Sequence, residues 1–284
     1  MYISEEILDR FIREDAPYLD LTTLLLDIGR EPGRISFASR EKGILSGSEE
    51  AGRVLQKLGL KPGLLLSSGT QLLPGQAFLQ AEGTASSLHL AWKICLNILE
   101  YSSGIASRTR CLLDKARIVN PNINILSTRK MFPGTRELAI KAVVAGGGFP
   151  HRLGLSESIL VFRQHIDFLS GMQELVQIIP KLRQQACEKK VIVEVTNLDD
   201  ALLLAEAGVD GLQFDKISSD DLRHYVREIR KLCPHMLLIG AGGITEANVT
   251  AYAATGIDAI VTTSMYFGRP LDISVTMTPL ERSL

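Results

Sequence analysis

Two basic pairs lie close together in the middle of the chain: Arg129-Lys130 follows the apolar run 123–126, and His151-Arg152 follows Gly146-Gly147-Gly148. Cations grouped in this way suit an anionic ligand, because a guanidinium meets a carboxylate or phosphate through two parallel hydrogen bonds. Farther along, single carboxylates sit late in two apolar runs: Glu194 in Val191-Ile192-Val193-Glu194-Val195, and Asp215 closing Gly211-Leu212-Gln213-Phe214-Asp215. In a parallel barrel the C-terminal ends of the strands converge on one mouth. Acids and bases gathered there would handle phosphates and a divalent metal. Any one of these charges alone is as readily a surface ion pair, but four at strand ends are harder to explain that way.

Two further segments could complete a phosphate site. Gly240-Ala241-Gly242-Gly243 follows a strand and precedes a helix expected to start near Thr245, so its backbone N–H groups could approach a phosphate closely, although a simple tight turn explains the glycines equally well. Thr262-Thr263-Ser264 follows the last expected strand, where barrels of this kind commonly seat phosphate. The triple glycine is expected to form a loop that brings His151 and Arg152 to the mouth. A lone histidine is more often a structural hydrogen-bonding group than an acid or base, which leaves Arg152 as the stronger ligand candidate.

At 284 residues and 45% hydrophobic content the chain can bury a large core, enough for one large α/β domain or one domain with a smaller companion. A net charge of -1 gives no general field for nucleic acid or an anionic membrane. Cys95, Cys111, Cys187 and Cys233 are scattered without zinc-type spacing and read as buried, reduced thiols. The first residues carry no basic and apolar leader, and no run approaches a membrane span, so a cytoplasmic location is expected.

The elements that must position these residues fall into two groups. Residues 1–105 mix an amphipathic start through Phe11, strand-like runs at 34–38 and 64–67, turns at Lys61-Pro62-Gly63 and Pro74-Gly75, and a helix over 86–101 with Trp92 on its apolar face. Residues 106–269 alternate apolar runs at 123–127, 158–162, 191–195, 211–214, 236–239 and 259–262 with amphipathic stretches, the pattern of repeated βα units. Their runs are apolar on both faces, as in parallel strands covered on both sides, which favours a barrel over a sandwich. Asn197 and either Ser218 or Ser219 are expected helix caps, and the tail 270–284 is expected to return to the first region.

The motifs resemble the quinolinate phosphoribosyltransferases, the carboxylating nicotinate-nucleotide pyrophosphorylases. The resemblance spans nearly the whole chain: Asp20-Leu21-Thr22-Thr23, Leu96-Asn97 with Ser103-Gly104-Ile105-Ala106, Ser127-Thr128-Arg129-Lys130 with Pro133-Gly134, His151-Arg152-Leu153-Gly154-Leu155, and Gly242-Gly243-Ile244. It implies an N-terminal open-faced α/β sandwich, an incomplete seven-stranded type of α/β barrel, and a homodimer sharing residues between subunits. It implies transfer of phosphoribose from phosphoribosyl pyrophosphate to a heterocyclic acid with Mg2+ as cofactor, releasing pyrophosphate and, for quinolinate, carbon dioxide. By position, Arg129, His151 and Arg152 would hold the acceptor, with Lys93 standing where the family has an arginine supplied across the dimer. Lys130 would contact phosphoribosyl pyrophosphate, Glu194 and Asp215 would engage ribose and metal as catalytic residues, and Gly242, Gly243, Thr262 and Thr263 would seat the 5′-phosphate.

The chain departs from the family where a lysine becomes Phe162, in Phe162-Arg163-Gln164-His165, and where the asparagine after the metal-site acid becomes Lys216. An apolar ring in place of a cation leaves a dicarboxylate less well neutralised, so the acceptor is open between quinolinate and another heterocyclic acid. These changes resemble the ModD branch associated with molybdenum transport genes. The alternative reading is a non-catalytic phosphosugar or oxyanion binding protein in molybdenum transport.

Overall fold

The computed structural model describes residues 1–281 and consists of two compact units. The first contains residues 1–110, 132–147 and the described part of 266–284; the second contains 111–131 and 148–265. The strands in chain order are β1 (Pro32–Ser39), β2 (Gly43–Ile44), β3 (Lys61–Leu65), β4 (Gln71–Leu72), β5 (Ala77–Thr84), β6 (Asn124–Ser127), β7 (Phe149–Pro150), β8 (Ile159–Val161), β9 (Val191–Val195), β10 (Gly211–Asp215), β11 (Leu237–Ala241), β12 (Ala259–Thr262) and β13 (Ile273–Pro279).

In the first unit an antiparallel sheet runs β13-β1-β5-β3. Its core joins Ile35, Phe37, Phe78 and Leu79 to Val54 and Leu55 of the helix Ser48–Lys57. The tail residues 273–279 pair antiparallel with β1 from Ser39↔Ile273 to Gly33↔Pro279. Lys61-Pro62-Gly63 forms the start of an edge strand instead of the expected turn. Pairing with β5 overrides the turn chemistry there, and proline is tolerated because an edge strand can leave one side unbonded.

The expected helix over 86–101 runs on as Ala85–Arg117. Ser102-Ser103-Gly104 does not end it, because Ser103 Oγ accepts from Ser46 N–H at 3.0 Å and donates to Ser46 O at 3.2 Å. A Cβ at Gly104 would lie 3.2 Å from the backbone of Arg269 and Leu271, so the absent side chain lets the returning tail come close. Trp92 is 37% exposed with Lys93 Nζ 4.5 Å from its ring centre, and is not a core residue. Of the cysteines only Cys95 is buried; Cys187 is exposed, and all four are free thiols.

The second unit is a curled half-barrel of seven strands in the order β7-β6-β12-β11-β10-β9-β8, with every pair parallel. The last strand, β12, pairs with the first, β6, as in a closed barrel, while the sheet stays open between β7 and β8. The helix Leu198–Glu206 starts where Asn197 Oδ1 accepts from Asp200 N–H at 2.8 Å, and Ser219–Leu232 starts where Ser218 Oγ accepts from Asp221 N–H at 3.1 Å. The helix after the glycine loop begins at Val249, not near Thr245. Asn248 holds a turn ahead of it by accepting from Thr245 N–H at 2.8 Å and donating to Gly243 O at 3.1 Å. Among the described residues no helix is long and apolar enough to cross a membrane.

Candidate active site

Alternation along the parallel strands decides which residues share the concave face. An apolar cluster of Leu160, Ile192, Ile239, Ala241, Ala259 and Val261, with Leu126 and Phe162 against it, occupies every second position. Continuing each alternation toward the C-terminal strand ends places Phe162, Glu194, Gln213 and Asp215 on that same face. Val191, Val193, Leu212, Phe214 and Ile260 point the other way and are buried under the helices. The hydrophobic period thus lines the inside of the half-barrel and hands over to polar chemistry at its mouth.

Glu194 and Gln213 are direct neighbours in register, and Gln213 Nε2 donates to Glu194 Oε2 at 2.7 Å. Burial is the largest influence on Glu194 and holds its carboxyl above the usual glutamate range. Gln213 opposes this shift, the nearby Asp215 charge reinforces it, and Lys130 and Lys216 oppose it in turn. Asp215, Lys130 and Lys216 therefore all lie within electrostatic reach of Glu194. Gln213 drew no attention in the sequence, although it shares the strand face of Asp215 and a period-two reading singles it out.

Lys216 follows directly and has φ 59, a left-handed conformation that a lysine rarely adopts. Its N–H donates to Ala241 O at 2.9 Å, continuing the β10–β11 ladder past Asp215. Across from it, a Cβ on Gly242 would come within 2.5 Å of Asp215 Oδ1 and 2.7 Å of Lys216 N, at a φ of +82. Only glycine fits there. Gly243, at φ +71, has nothing within 4 Å of where its Cβ would be, so its backbone faces open space suited to a phosphate. Thr262 Oγ1 donates to Ile244 O at 2.6 Å, tying the end of β12 to the glycine loop. The Thr262 hydroxyl is thus occupied, which leaves the backbone of this turn as its phosphate-facing part. Thr263 is half-buried beside it.

At the open seam, His151 N–H donates to Ser127 O at 3.0 Å, which fixes the turn after β7 beside the end of β6. Burial, and then the Arg152 charge, lowers the His151 pKa to about 4, so the imidazole is neutral at ordinary pH. Arg152 Cζ lies 5.8 Å from the centre of the Phe162 ring, across the seam. Burial and the adjacent Arg129 cation make Arg152 less basic than usual, while Glu157 opposes them. Phe162 stacks on His165 at 5.8 Å between centroids and 21° between planes, and its N–H donates to His165 Nδ1 at 2.9 Å. His165 carried no sequence signal that could be used; its part is visible only in this stacking.

Unpaired polar atoms mark the same mouth. Ser127 Oγ, Arg129 Nε, His151 Nε2 and Gln213 Oε1 are buried atoms without a hydrogen-bond partner. A buried unpaired donor or acceptor costs about 1 to 3 kcal/mol, so these four, spread over β6, β10 and the turns after β6 and β7, fit a polar ligand that pairs with them. The structure brings Arg129, Lys130, His151, Arg152, Glu194, Asp215, Gly242, Gly243, Thr262 and Thr263 to the strand ends of one half-barrel. Lys93 belongs to the other unit, where it is exposed beside Trp92.

The donor set also fits a hydrated hard cation. Among the described residues no group of three or more His, Cys, Asp or Glu side chains could hold a metal ion by itself. The two carboxylates Glu194 and Asp215 instead suit Mg2+, which keeps several waters and binds through one or two carboxylates together with substrate phosphates.

Comparison with known proteins agrees with this arrangement. Residues 20–103 match the N-terminal domain of quinolinate phosphoribosyl transferase, and residues 105–276 match its C-terminal domain. The provisionally named pyrophosphorylase ModD of Pasteurella multocida is 36% identical over 97% of this chain and 98% of its own. The human nicotinate-nucleotide pyrophosphorylase is 27% identical over 89% of this chain and 84% of its own. Among solved structures, NadC from Streptococcus pyogenes superposes with a TM-score of 0.89 at 26% identity, covering 99% of this chain and all of that one. With both domains matched in order and the strand-end chemistry in place, this chain belongs to the quinolinate phosphoribosyl transferase family.

Proposed function

We propose that the protein transfers phosphoribose from phosphoribosyl pyrophosphate to a heterocyclic acid, as a magnesium-dependent pyrophosphorylase that works as a cytoplasmic homodimer. The observation that carries this reading is the division of the mouth into a carboxylate and lysine cluster around Glu194 and a guanidinium and imidazole group at the ends of β6 and β7. Glu194 and Asp215 sit on adjacent central strands, while Arg129, His151 and Arg152 gather at the ends of β6 and β7. In such a transfer the bond from the anomeric carbon to pyrophosphate breaks, the pyrophosphate leaves with the electron pair, and a ring nitrogen of the acceptor forms the new bond. Positive charge grows on the sugar as the old bond stretches, and in this reading the two carboxylates stabilise it. Lys130 and Lys216 answer the negative charge of the leaving group, and the Gly243 backbone holds the 5′-phosphate. A magnesium ion on Glu194 and Asp215 would supply further neutralisation of the departing pyrophosphate. We extend the proposal to a link with molybdenum utilisation, which the motifs' resemblance to the ModD branch implies.

The test is pyrophosphate release by purified protein given phosphoribosyl pyrophosphate, Mg2+ and a panel of pyridine and related ring acids. At least one acceptor is expected to support turnover. Glu194→Gln and Asp215→Asn are expected to lower it by about 100-fold or more with the melting temperature retained, since each deletes a charge aimed at the transition state. Tight binding of phosphoribosyl pyrophosphate with no release for any acceptor would replace the transferase reading by one of a binding protein.

A further inference from the structure

Gln213 stands among the site acids, and only one end of its amide is paired. The residue is 5% exposed and lies on the concave face of β10, in register with Glu194 of β9 on one side and Ile239 of β11 on the other. Its Nε2 donates to Glu194 Oε2 at 2.7 Å. That bond fixes which way the amide faces, because a carbonyl turned toward the carboxylate would set two acceptors against each other. Gln213 Oε1 is thereby held as a buried acceptor with no hydrogen-bond partner.

The side chains next to it on that face have no hydrogen to give. Across the two ladders stand the Glu194 carboxylate, which accepts, and Ile239, which is apolar. Along β10 the same face carries Gly211 toward the strand start and Asp215, another acceptor, toward the mouth. The diagonal neighbours Ile192 and Ala241 belong to the concave apolar cluster. An acceptor buried without a partner is costly, so a donor from outside the chain accounts for it. With two carboxylates beside it, the fitting group brings a hydrogen and no negative charge, as a sugar hydroxyl does and a phosphate or carboxylate does not. In the transfer proposed above those carboxylates serve the anomeric carbon, and the nearest such donor is the hydroxyl on the adjacent ring carbon.

We propose that Gln213 is a specificity-determining residue: its Oε1 accepts a hydrogen bond from the 2-hydroxyl of the phosphoribosyl group while its Nε2 holds Glu194, so that the site selects ribose over 2-deoxyribose. The assignment rests on the phosphoribosyltransferase reading for the identity of the sugar, and sugar binding tests it without turnover.

The experiment is calorimetric titration with ribose 5-phosphate, 2-deoxyribose 5-phosphate and inorganic phosphate, in the presence of a metal chelator and again with Mg2+. Wild-type protein is expected to bind the ribose compound about tenfold tighter or more than the deoxy compound, because the missing hydroxyl leaves the buried amide oxygen unpaired. Gln213→Met, of similar volume, is expected to bring that ratio to about threefold or less with inorganic phosphate binding unchanged. Glu194→Gln, whose own carbonyl still accepts from Gln213 Nε2, is expected to keep a ratio of about fivefold or more. Equal wild-type binding of the two sugar phosphates, or binding of neither, would overturn the assignment whether or not the variants fold. An undiminished ratio in Gln213→Met would give the amide oxygen to a buried water, and a ratio lost in Glu194→Gln would give the hydroxyl to Glu194; each overturns it. A preference that appears only with Mg2+ overturns it too, since the donor is then a metal-bound water. The expected ratios without pyrophosphate release for any acceptor sink the transferase reading alone, whereas release by a wild-type protein that shows no preference sinks the Gln213 assignment alone.

Discussion

Gly242 and Gly243 offer a controlled comparison between two adjacent glycines. Both have positive φ, +82 and +71, so replacing either with alanine incurs a left-handed backbone penalty of about 1 kcal/mol. Only Gly242 also faces a steric conflict: its new Cβ would meet Asp215 Oδ1 at 2.5 Å, Lys216 Cγ at 2.6 Å and Lys216 N at 2.7 Å. The backbone nitrogen cannot move without breaking its 2.9 Å hydrogen bond to Ala241 O, and the carboxylate cannot move without leaving its place beside Glu194. Overpacking of this kind adds about 1 to 3 kcal/mol, which brings Gly242→Ala to about 2 to 4 kcal/mol in all. At roughly 2 to 4 °C per kcal/mol, the melting temperature should fall by about 5 to 15 °C, against about 3 °C for Gly243→Ala. The pushed carboxylate should also slow pyrophosphate release, since a displacement near 1 Å at a reacting centre can lower the rate by about 100-fold. Differential scanning calorimetry and the release assay on both variants read the two effects. Equal stability and equal activity in the two variants would refute the close packing of the glycine loop against Asp215.

Two further outcomes follow from the electrostatics and backbone of the mouth. Because His151 has a folded-state pKa of about 4, below its ordinary 6.5, the unfolded chain takes up the proton first as the solution is acidified. Stability present above pH 6.5 should therefore be lost progressively between about pH 6.5 and 4, by about 2 kcal/mol after solvent screening, and His151→Asn should flatten that part of a melting-temperature profile. Lys216→Gly should raise stability by about 1 kcal/mol by relieving the φ of 59, and should move the acid limb of the pH–rate profile to higher pH, because the Lys216 cation helps keep Glu194 ionised.

The sequence carried the half-barrel well because its signals there are local. Strand 191–195 stands at its expected bounds, and the Asn197 and Ser218 caps are short-range hydrogen bonds written into adjacent residues. Where distant pairing decides, local chemistry misleads. Lys61-Pro62-Gly63 is drawn into an edge strand by β5, and Ser103 keeps the long helix going by bonding to Ser46, 57 positions away. Residues 132–147 belong with the first unit, where Lys141, only 12% exposed, bridges Glu49 and Glu50 from 92 and 91 positions away. No pattern in the helix Arg136–Ala145 announces those partners. At the site, charged residues stood out by type, whereas Gln213, His165 and the left-handed Lys216 matter through the face, stack or backbone angle they adopt.

The open seam divides the mouth into parts with different freedom to change. Glu194, Asp215 and the glycine loop project from strands laddered on both flanks, so any shift there must be accommodated by two neighbours at once. His151, Arg152 and Phe162 follow β7 and β8, which are bonded on one side only and are two and three residues long. Substitution along that margin disturbs a single row of hydrogen bonds. A scaffold built this way can exchange the molecule that receives the sugar while the machinery that activates the sugar stays put.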